Sequence, residues 1–223
     1  MIRVEVLADP GSVAEHAADL IAEAVPRAIS EGRRFAWAIS GGQTPVPMFR
    51  CLGALALPWD RIDTWQVDER VAPPGDPDRN RSLQVKALPA EALDGTRWMP
   101  VDDDDLEAAA ARYAATLPDR FDVVHLGLGA DGHTASLVPG DPVLDIRDRD
   151  IAVTDVYEGR RRMTLTYPGL SRAQCAIWVV TGSEKRDALR KLLAGDRSIP
   201  AAQVVVADQA LVTDLAQGVR RRR

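Results

Sequence analysis

Short strand-like segments alternate with helical patterns along nearly the whole chain, and this alternation limits the fold more than any other feature. Strands are expected near Val4–Leu7, Phe35–Ile39, Ile62–Val67, Phe121–Leu126, Ile151–Val153, Met163–Thr166, Ala176–Val180 and Gln203–Val206. Helical patterns fill Ser12–Glu31, Val46–Leu52, Leu106–Leu117 and Ser183–Leu193. Ser12 with Glu15 makes a capping-box pattern at the first helix, and Gly32 follows its end. Such an order implies an α/β fold: a mainly parallel sheet with helices on both faces, a Rossmann-like three-layer sandwich. The 223 residues contain no internal repeat and no low-complexity linker, so one domain over residues 1–223 is expected. The loop Ala72–Asn80 is rich in Pro, Asp and Gly but too short to separate two domains.

Composition narrows the classes. A 46% hydrophobic and 27% charged chain is ordinary for a soluble globular protein, and no apolar run is long enough to span a bilayer. The opening Met1–Leu7 reads as a strand rather than a signal peptide, because charges interrupt it. A net charge of −5 argues against broad nucleic-acid binding. Cys51 and Cys175 read as buried thiols of a reducing compartment, and with three His in all no metal site is expected. Asp102–Asp105 suit the N-terminus of the helix that follows them. Arg220–Arg223 read as a solvated, frayed terminus.

The most informative stretch is His125–Gly140, where an apolar strand runs into a loop containing Gly127, Gly129 and Gly132. Glycines at a strand exit allow positive φ and a close approach of backbone to ligand. The loop presents Asp131 and His133, an acid and an imidazole two residues apart, suited to proton transfer near neutral pH. The same glycines spell G-x-G-x-x-G, and Asp155 lies about where a dinucleotide fingerprint would want an acid. That reading is disfavoured because Pro139-Gly140 stops any helix roughly two turns after Gly132.

Three further loops carry chemistry. Ser40-Gly41-Gly42-Gln43-Thr44-Pro45 follows a strand and precedes a helix, the outline of a phosphate cradle without the Lys of a Walker loop. Arg160-Arg161-Arg162 at a strand entrance and Lys185 at a helix start supply cations, with Arg162, nearest the strand, the one expected to face the phosphate. Asp68-Glu69-Arg70 ends a buried strand. Asp68 and Arg70 should project to one side, into a pocket, and Glu69 to the other. The alternative is an ion pair that ties down the Ala72–Asn80 loop.

Together these loops resemble the 6-phosphogluconolactonase family, which belongs with the glucosamine-6-phosphate deaminases. The resemblance rests on Ser40–Pro45, Asp68-Glu69-Arg70-Val71 with Asn80, Gly127–Pro139, Arg162–Thr166 and Gly182–Lys185, in the family's order and spacing. It implies the deaminase-like fold and a soluble cytoplasmic enzyme of the oxidative pentose phosphate pathway. That enzyme would hydrolyse 6-phospho-D-glucono-1,5-lactone without metal or organic cofactor. His133 would be the general base, with Asp131 and Asp68 as catalytic partners. Ser40, Gly41, Gly42, Thr44, Arg70, Arg162 and Lys185 would bind substrate and phosphate, and amides of the glycine loop would steady the oxyanion. The expected partner is a small phosphosugar lactone, with no nucleic acid and no membrane, in a monomer or small homo-oligomer.

Deaminases resemble D-G-H-x-A-x-x-E-P in this loop, and Val138 stands where they carry the glutamate. They also tend to carry Asp-Glu-Tyr where this chain has Asp68-Glu69-Arg70. Departures from the lactonase pattern are Val138 for a common phenylalanine, Arg79 before Asn80, expected near the pocket mouth, and no tryptophan before Thr213-Asp214. A deaminase or isomerase, and a non-catalytic sugar-phosphate sensor, stay open as alternatives.

Overall fold

The strands that form the centre of the molecule are apolar on both sides, so both of their faces must be covered. In the computed structural model, which describes residues 2–216, they are covered by helices on one face and by helices plus a second small sheet on the other. In chain order the elements are β1 (Arg3–Val6), α1 (Pro10–Ser30), β2 (Phe35–Ile39), α2 (Val46–Ala54), β3 (Ile62–Gln66), β4 (Asp68–Arg70), α3 (Asn80–Ala87) and α4 (Ala90–Asp94). There follow β5 (Thr96–Arg97), α5 (Leu106–Ala114), β6 (Phe121–Leu126), β7 (Ile151–Val153), β8 (Arg162–Leu165) and α6 (Tyr167–Ser171). The last are β9 (Ala173–Val180), α7 (Arg186–Ala194) and β10 (Asp208–Thr213). The basic tail Arg220–Arg223 lies outside the described residues.

Seven strands form a parallel sheet in the order β1-β10-β9-β6-β2-β3-β5. Alternation along each strand sorts the core. Phe35, Trp37 and Ile39 of β2 pack with Val13, Ile21 and Val25 of α1 and with Met48, Phe49 and Leu52 of α2. Ala36 and Ala38 turn to the other layer, which holds Tyr113 of α5 and Leu189 and Leu192 of α7. From β2 the chain winds outward through β3 to β5, whereas from β6 it winds the opposite way through β9 to β10. The strand order therefore reverses between β2 and β6. Loops leaving the carboxyl ends of those two neighbours diverge, and a crevice opens between them.

A second sheet, β4-β8-β7, is antiparallel. Two segments read as candidates for the main sheet, Ile151–Val153 and Met163–Thr166, fall here instead. The chain between them doubles back through a tight turn in which Glu158 (φ 49°) and Gly159 (φ 80°) both sit in the left-handed region, and such turns join antiparallel strands. Val67 joins the two sheets: its N–H donates to Ile39 O of β2 (2.9 Å) and its carbonyl accepts from Leu165 N of β8 (2.8 Å).

The expected final strand at Gln203–Val206 is not one. Pro200–Gln203 is a 3₁₀ turn, and the sheet strand is β10, inserted between β1 and β9. Val204 and Val206 satisfy their apolarity by packing into the core rather than by pairing. The first helix starts earlier than the capping-box pattern implied: Asp9 is the N-cap and accepts from Ser12 N at 2.9 Å. Asp105 caps α5 as the acidic run suggested.

Between the two sheets lies Glu69, fully buried. Its carboxylate accepts from Arg70 N (2.8 Å) and Asn80 N (2.7 Å) on Oε1, and from Arg81 N (2.9 Å) and Gln66 Nε2 (2.9 Å) on Oε2. Two of these donors are opening amides of α3, which otherwise lack partners. Arg79 Nε stands 3.7 Å away, and Arg79 Nη1 donates to Asp102 at 2.6 Å. Arg79 is thus buried at 2% exposure and structural, not a charge at the pocket mouth as its sequence position suggested. Glu69→Ala would leave those donors without an acceptor and the buried guanidinium with Asp102 alone. We expect it to cost about 3–5 kcal/mol of stability, read as a lowered urea midpoint at unchanged slope.

Candidate active site

The crevice at the strand reversal is a cavity of about 260 Å³. Ser40, Gly41, Gly42 and Thr44 line it from the loop after β2; Gly127, Gly129, His133 and Thr134 from the loop after β6; Asp68 and Arg70 from β4; Arg162 from β8; and Lys185 from the turn after β9. Of the residues expected in the site, Asp131 alone is absent from the wall. It stands behind His133.

The end that holds His133 follows from the glycines. Gly129 N donates to His133 O (2.8 Å) and Gly132 N to Gly129 O (3.0 Å), closing a tight loop. Gly132 has φ 87°. A Cβ on Gly129 would fall 2.2 Å from His133 Nδ1, so the imidazole and carboxylate can lie over this backbone only because no side chain is there. No helix follows Gly132; the chain turns at Thr134–Leu137 and reaches a 3₁₀ turn at Pro142–Asp145, which removes the context a dinucleotide fingerprint needs. With two of its glycine amides engaged inside the loop, the loop has fewer donors left for an oxyanion than its sequence suggests.

Asp131 Oδ1 lies 2.6 Å from His133 Nδ1 and also accepts from His133 N at 3.1 Å. A carboxylate at Nδ1 fixes the proton there and turns the Nε2 lone pair outward. Burial would push the Asp131 carboxyl up, but the His133 amide, the imidazole and the Tyr157 hydroxyl together hold it below the ordinary carboxylate value. Asp68 accepts from Ser136 Oγ (2.7 Å) and Asn80 Nδ2 (3.2 Å), so its carboxylate is held in place at the cavity wall by groups from two other segments.

The other end is cationic. Arg70, Arg162 and Lys185 face the cavity with Asp68 as the one carboxylate lining it among the described residues. Of the three consecutive arginines, Arg160 pairs with Asp76 (2.9 Å) and Asp78 (3.2 Å) and Arg161 donates to Thr154 O (3.2 Å), whereas Arg162 reaches the cavity. Lys185 Nζ lies 3.3 Å from Thr44 Oγ1, and burial lowers its ammonium below the usual value against the pull of Glu184 and Asp214. Gly42 (φ 90°) turns the loop, and a Cβ on Gly41 would overlap Asn80 at 1.9 Å. The opening turn of α2 adds the partial positive charge of its amides.

Ser40 is held from below. Its Oγ donates to His125 O (2.9 Å) and its N–H to His125 Nδ1 (3.3 Å), so both of its donors serve to anchor the loop. Asn80 and Tyr157 were not singled out as site residues from sequence. Asn80 opens a mostly polar helix, and Asp131, which accepts from the Tyr157 hydroxyl, lies 26 residues upstream.

The description "Glucosamine-6-phosphate isomerases/6-phosphogluconolactonase" belongs to the family model that matches residues 8–213. A 6-phosphogluconolactonase of Nostoc sp. is 38% identical over 207 residues, 86% of this chain and 85% of that protein. The crystal structure of a 6-phosphogluconolactonase from Thermotoga maritima superposes with a TM-score of 0.86 at 24% identity, over 96% of this chain and 99% of the other. A monomeric glucosamine-6-phosphate deaminase superposes nearly as well, with a TM-score of 0.84 at 20% identity over 95% and 97% of the two chains.

His125, which anchors Ser40, makes the Ser40–Thr44 loop acid-sensitive. Burial pushes its imidazole down to about 3, far below the unfolded value of about 6.5. The unfolded chain therefore binds the proton first as pH falls. Stability from this group is complete above about pH 6.5 and declines between 6.5 and 3. We expect this histidine to contribute about 2 kcal/mol of the stability lost between pH 7 and pH 5. His125→Gln, which keeps an acceptor but does not titrate, should flatten that dependence in urea melts.

Proposed function

The chain belongs to the glucosamine-6-phosphate isomerase/6-phosphogluconolactonase family, and on that premise we propose that its cavity hydrolyses 6-phospho-D-glucono-1,5-lactone to 6-phosphogluconate with His133 as general base. The observation that carries this reading is the pairing of His133 Nδ1 with Asp131 at 2.6 Å, with His133 on the wall of a cavity that Arg70, Arg162 and Lys185 also line. Lactone hydrolysis asks for both: a base able to return its proton, and a place for a phosphate dianion.

With Nδ1–H held by Asp131, His133 Nε2 takes a proton from water as the water oxygen bonds to the lactone carbonyl carbon. The tetrahedral intermediate then collapses. The bond from that carbon to the ring oxygen breaks, and the imidazolium returns its proton to the departing oxygen, which becomes a hydroxyl. The carboxylic acid so formed ionises in solution. His133 ends as it began, so no cofactor is required by the chemistry.

Lys185, Arg162 and the Ser40–Thr44 loop hold the phosphate, with Arg162 supplying a planar fork and Lys185 a point charge. Asp68, anchored by Ser136 and Asn80, accepts from sugar hydroxyls, and Arg70 flanks the ring. The enzyme acts in the cytoplasm as a monomer or small homo-oligomer; no helix among the described residues is long and apolar enough to cross a membrane. Val138, buried beside the loop, cannot transfer the proton that a deaminase assigns to a glutamate there.

The test follows 6-phosphogluconate from freshly generated lactone at mildly acidic pH and low temperature. Wild type should accelerate its formation. His133→Ala should lose roughly 10²–10⁴-fold in kcat, and an unchanged turnover would overturn the mechanism. Lys185→Ala and Arg162→Ala should chiefly raise KM. Ammonia release from glucosamine 6-phosphate would point to the deaminase instead.

A further inference from the structure

One side chain touches both ends of the site without lining the cavity. Tyr157 lies on the strap between β7 and β8, where it pairs with Arg160 through two backbone hydrogen bonds (3.0 and 3.2 Å) across the tight turn. Its hydroxyl donates to Asp131 Oδ2 at 3.1 Å. Its ring meets the His133 ring edge to face at 5.8 Å between centroids, and the Arg162 guanidinium lies over it at 4.8 Å. The next residue, Glu158, accepts from Arg162 Nη2 at 2.9 Å.

Each contact answers a mechanical need. Asp131 uses Oδ1 for both the amide and the ring of His133. The torsion about a carboxylate's last bond is soft, so Oδ1 alone leaves the plane of the group free to swing. A donor on Oδ2 stops that swing and keeps the lone pair aimed at Nδ1. Arg162 needs its own restraint: it is 4% exposed, its Nε has no hydrogen-bond partner among the described residues, and the aromatic face beneath it fixes the plane of the fork. Tyr157 meets both needs with one side chain.

We infer that Tyr157 is a positioning residue that sets the Asp131–His133 pair through its hydroxyl and the phosphate-holding Arg162 through its ring. The inference rests on the lactonase reading of the site. Its distinguishing consequence is that the two effects separate: the hydroxyl acts on turnover, the ring on phosphate binding.

The experiment compares wild type, Tyr157→Phe and Tyr157→Ala for kcat and KM on 6-phosphogluconolactone, and for competitive inhibition by inorganic phosphate. Tyr157→Phe keeps the ring. It should lower kcat roughly tenfold through a loosened base while KM and the phosphate Ki stay within about twofold. Tyr157→Ala should show the same loss in kcat and, in addition, a rise of about tenfold in KM and Ki. A Phe variant with wild-type kcat overturns the inference, as does one whose KM and Ki rise as far as those of the Ala variant. If the Ala variant does not fold, the Phe variant alone decides. Wild type that fails to hydrolyse the lactone overturns the lactonase reading and the inference together, whereas active wild type with an unaffected Phe variant overturns only the inference.

Discussion

The placement of the substrate-facing groups depends on a buried negative charge. A carboxylate removed from water is tolerated only when it is paired and fully hydrogen-bonded, and Glu69 has four N–H donors and a nearby guanidinium. Those donors come from β3, β4 and the start of α3, so satisfying the charge locks three segments to one another. The neighbours of Glu69 inherit the result. Asp68 and Arg70 are turned to the opposite side of a short extended strand and into the cavity. Asn80 is brought against Gly41, and Arg79 is drawn inward to the charge. Of the Asp68-Glu69-Arg70 triplet, the outer pair lines the cavity, while Glu69 and the Arg70 guanidinium, which donates to Asp78 O at 2.6 Å, both tie down the loop that leads to Asn80.

The reversal of strand order between β2 and β6 supplies the other constraint. It sets two loops of opposite character side by side. After β2 come amides, a hydroxyl and a helix start, all suited to an anion; after β6 come an imidazole and its carboxylate. Val67 then links the parallel sheet to the antiparallel one through both of its backbone polar groups, which brings β8, and so Arg162, over the same crevice. The separation of an end rich in amides and cations from an end that holds an imidazole and its carboxylate is thus laid down by backbone connectivity.

Much of this was legible from residues alone where a signal was local. β2 is an unbroken apolar run and β6 a mostly apolar one carrying Asp122 and His125; each runs into a loop with glycines, and the expected ends match the observed ones. The loops that follow announce themselves by glycines that the backbone needs, Gly129 above all. What escaped has its cause elsewhere in the chain. α3 is mostly polar, with Leu83, Val85 and Ala87 its only apolar residues, and the carboxylate that holds its first turn lies eleven residues upstream. β10 opens on Asp208 and Gln209, while the Val204–Val206 run before it looks more strand-like yet packs without pairing. Tyr157 has no motif at all; its partner Asp131 is 26 residues away and meets it only because a tight turn folds the strap back.

A deaminase and a lactonase superpose on this chain almost equally well, so the backbone does not choose between their reactions. The choice rests on which side chains move protons. Hydrolysis of a lactone requires one group that accepts a proton from water and gives it to the ring oxygen, the part we propose for His133 beside Asp131. Deamination of an aminosugar calls for acid-base work by a second group in the same loop. The position that would provide it holds Val138, 3% exposed and without a titratable atom. A hydrocarbon at that position has no proton to give, while His133 with Asp131 and the Ser40–Thr44 loop stand in place about the same cavity.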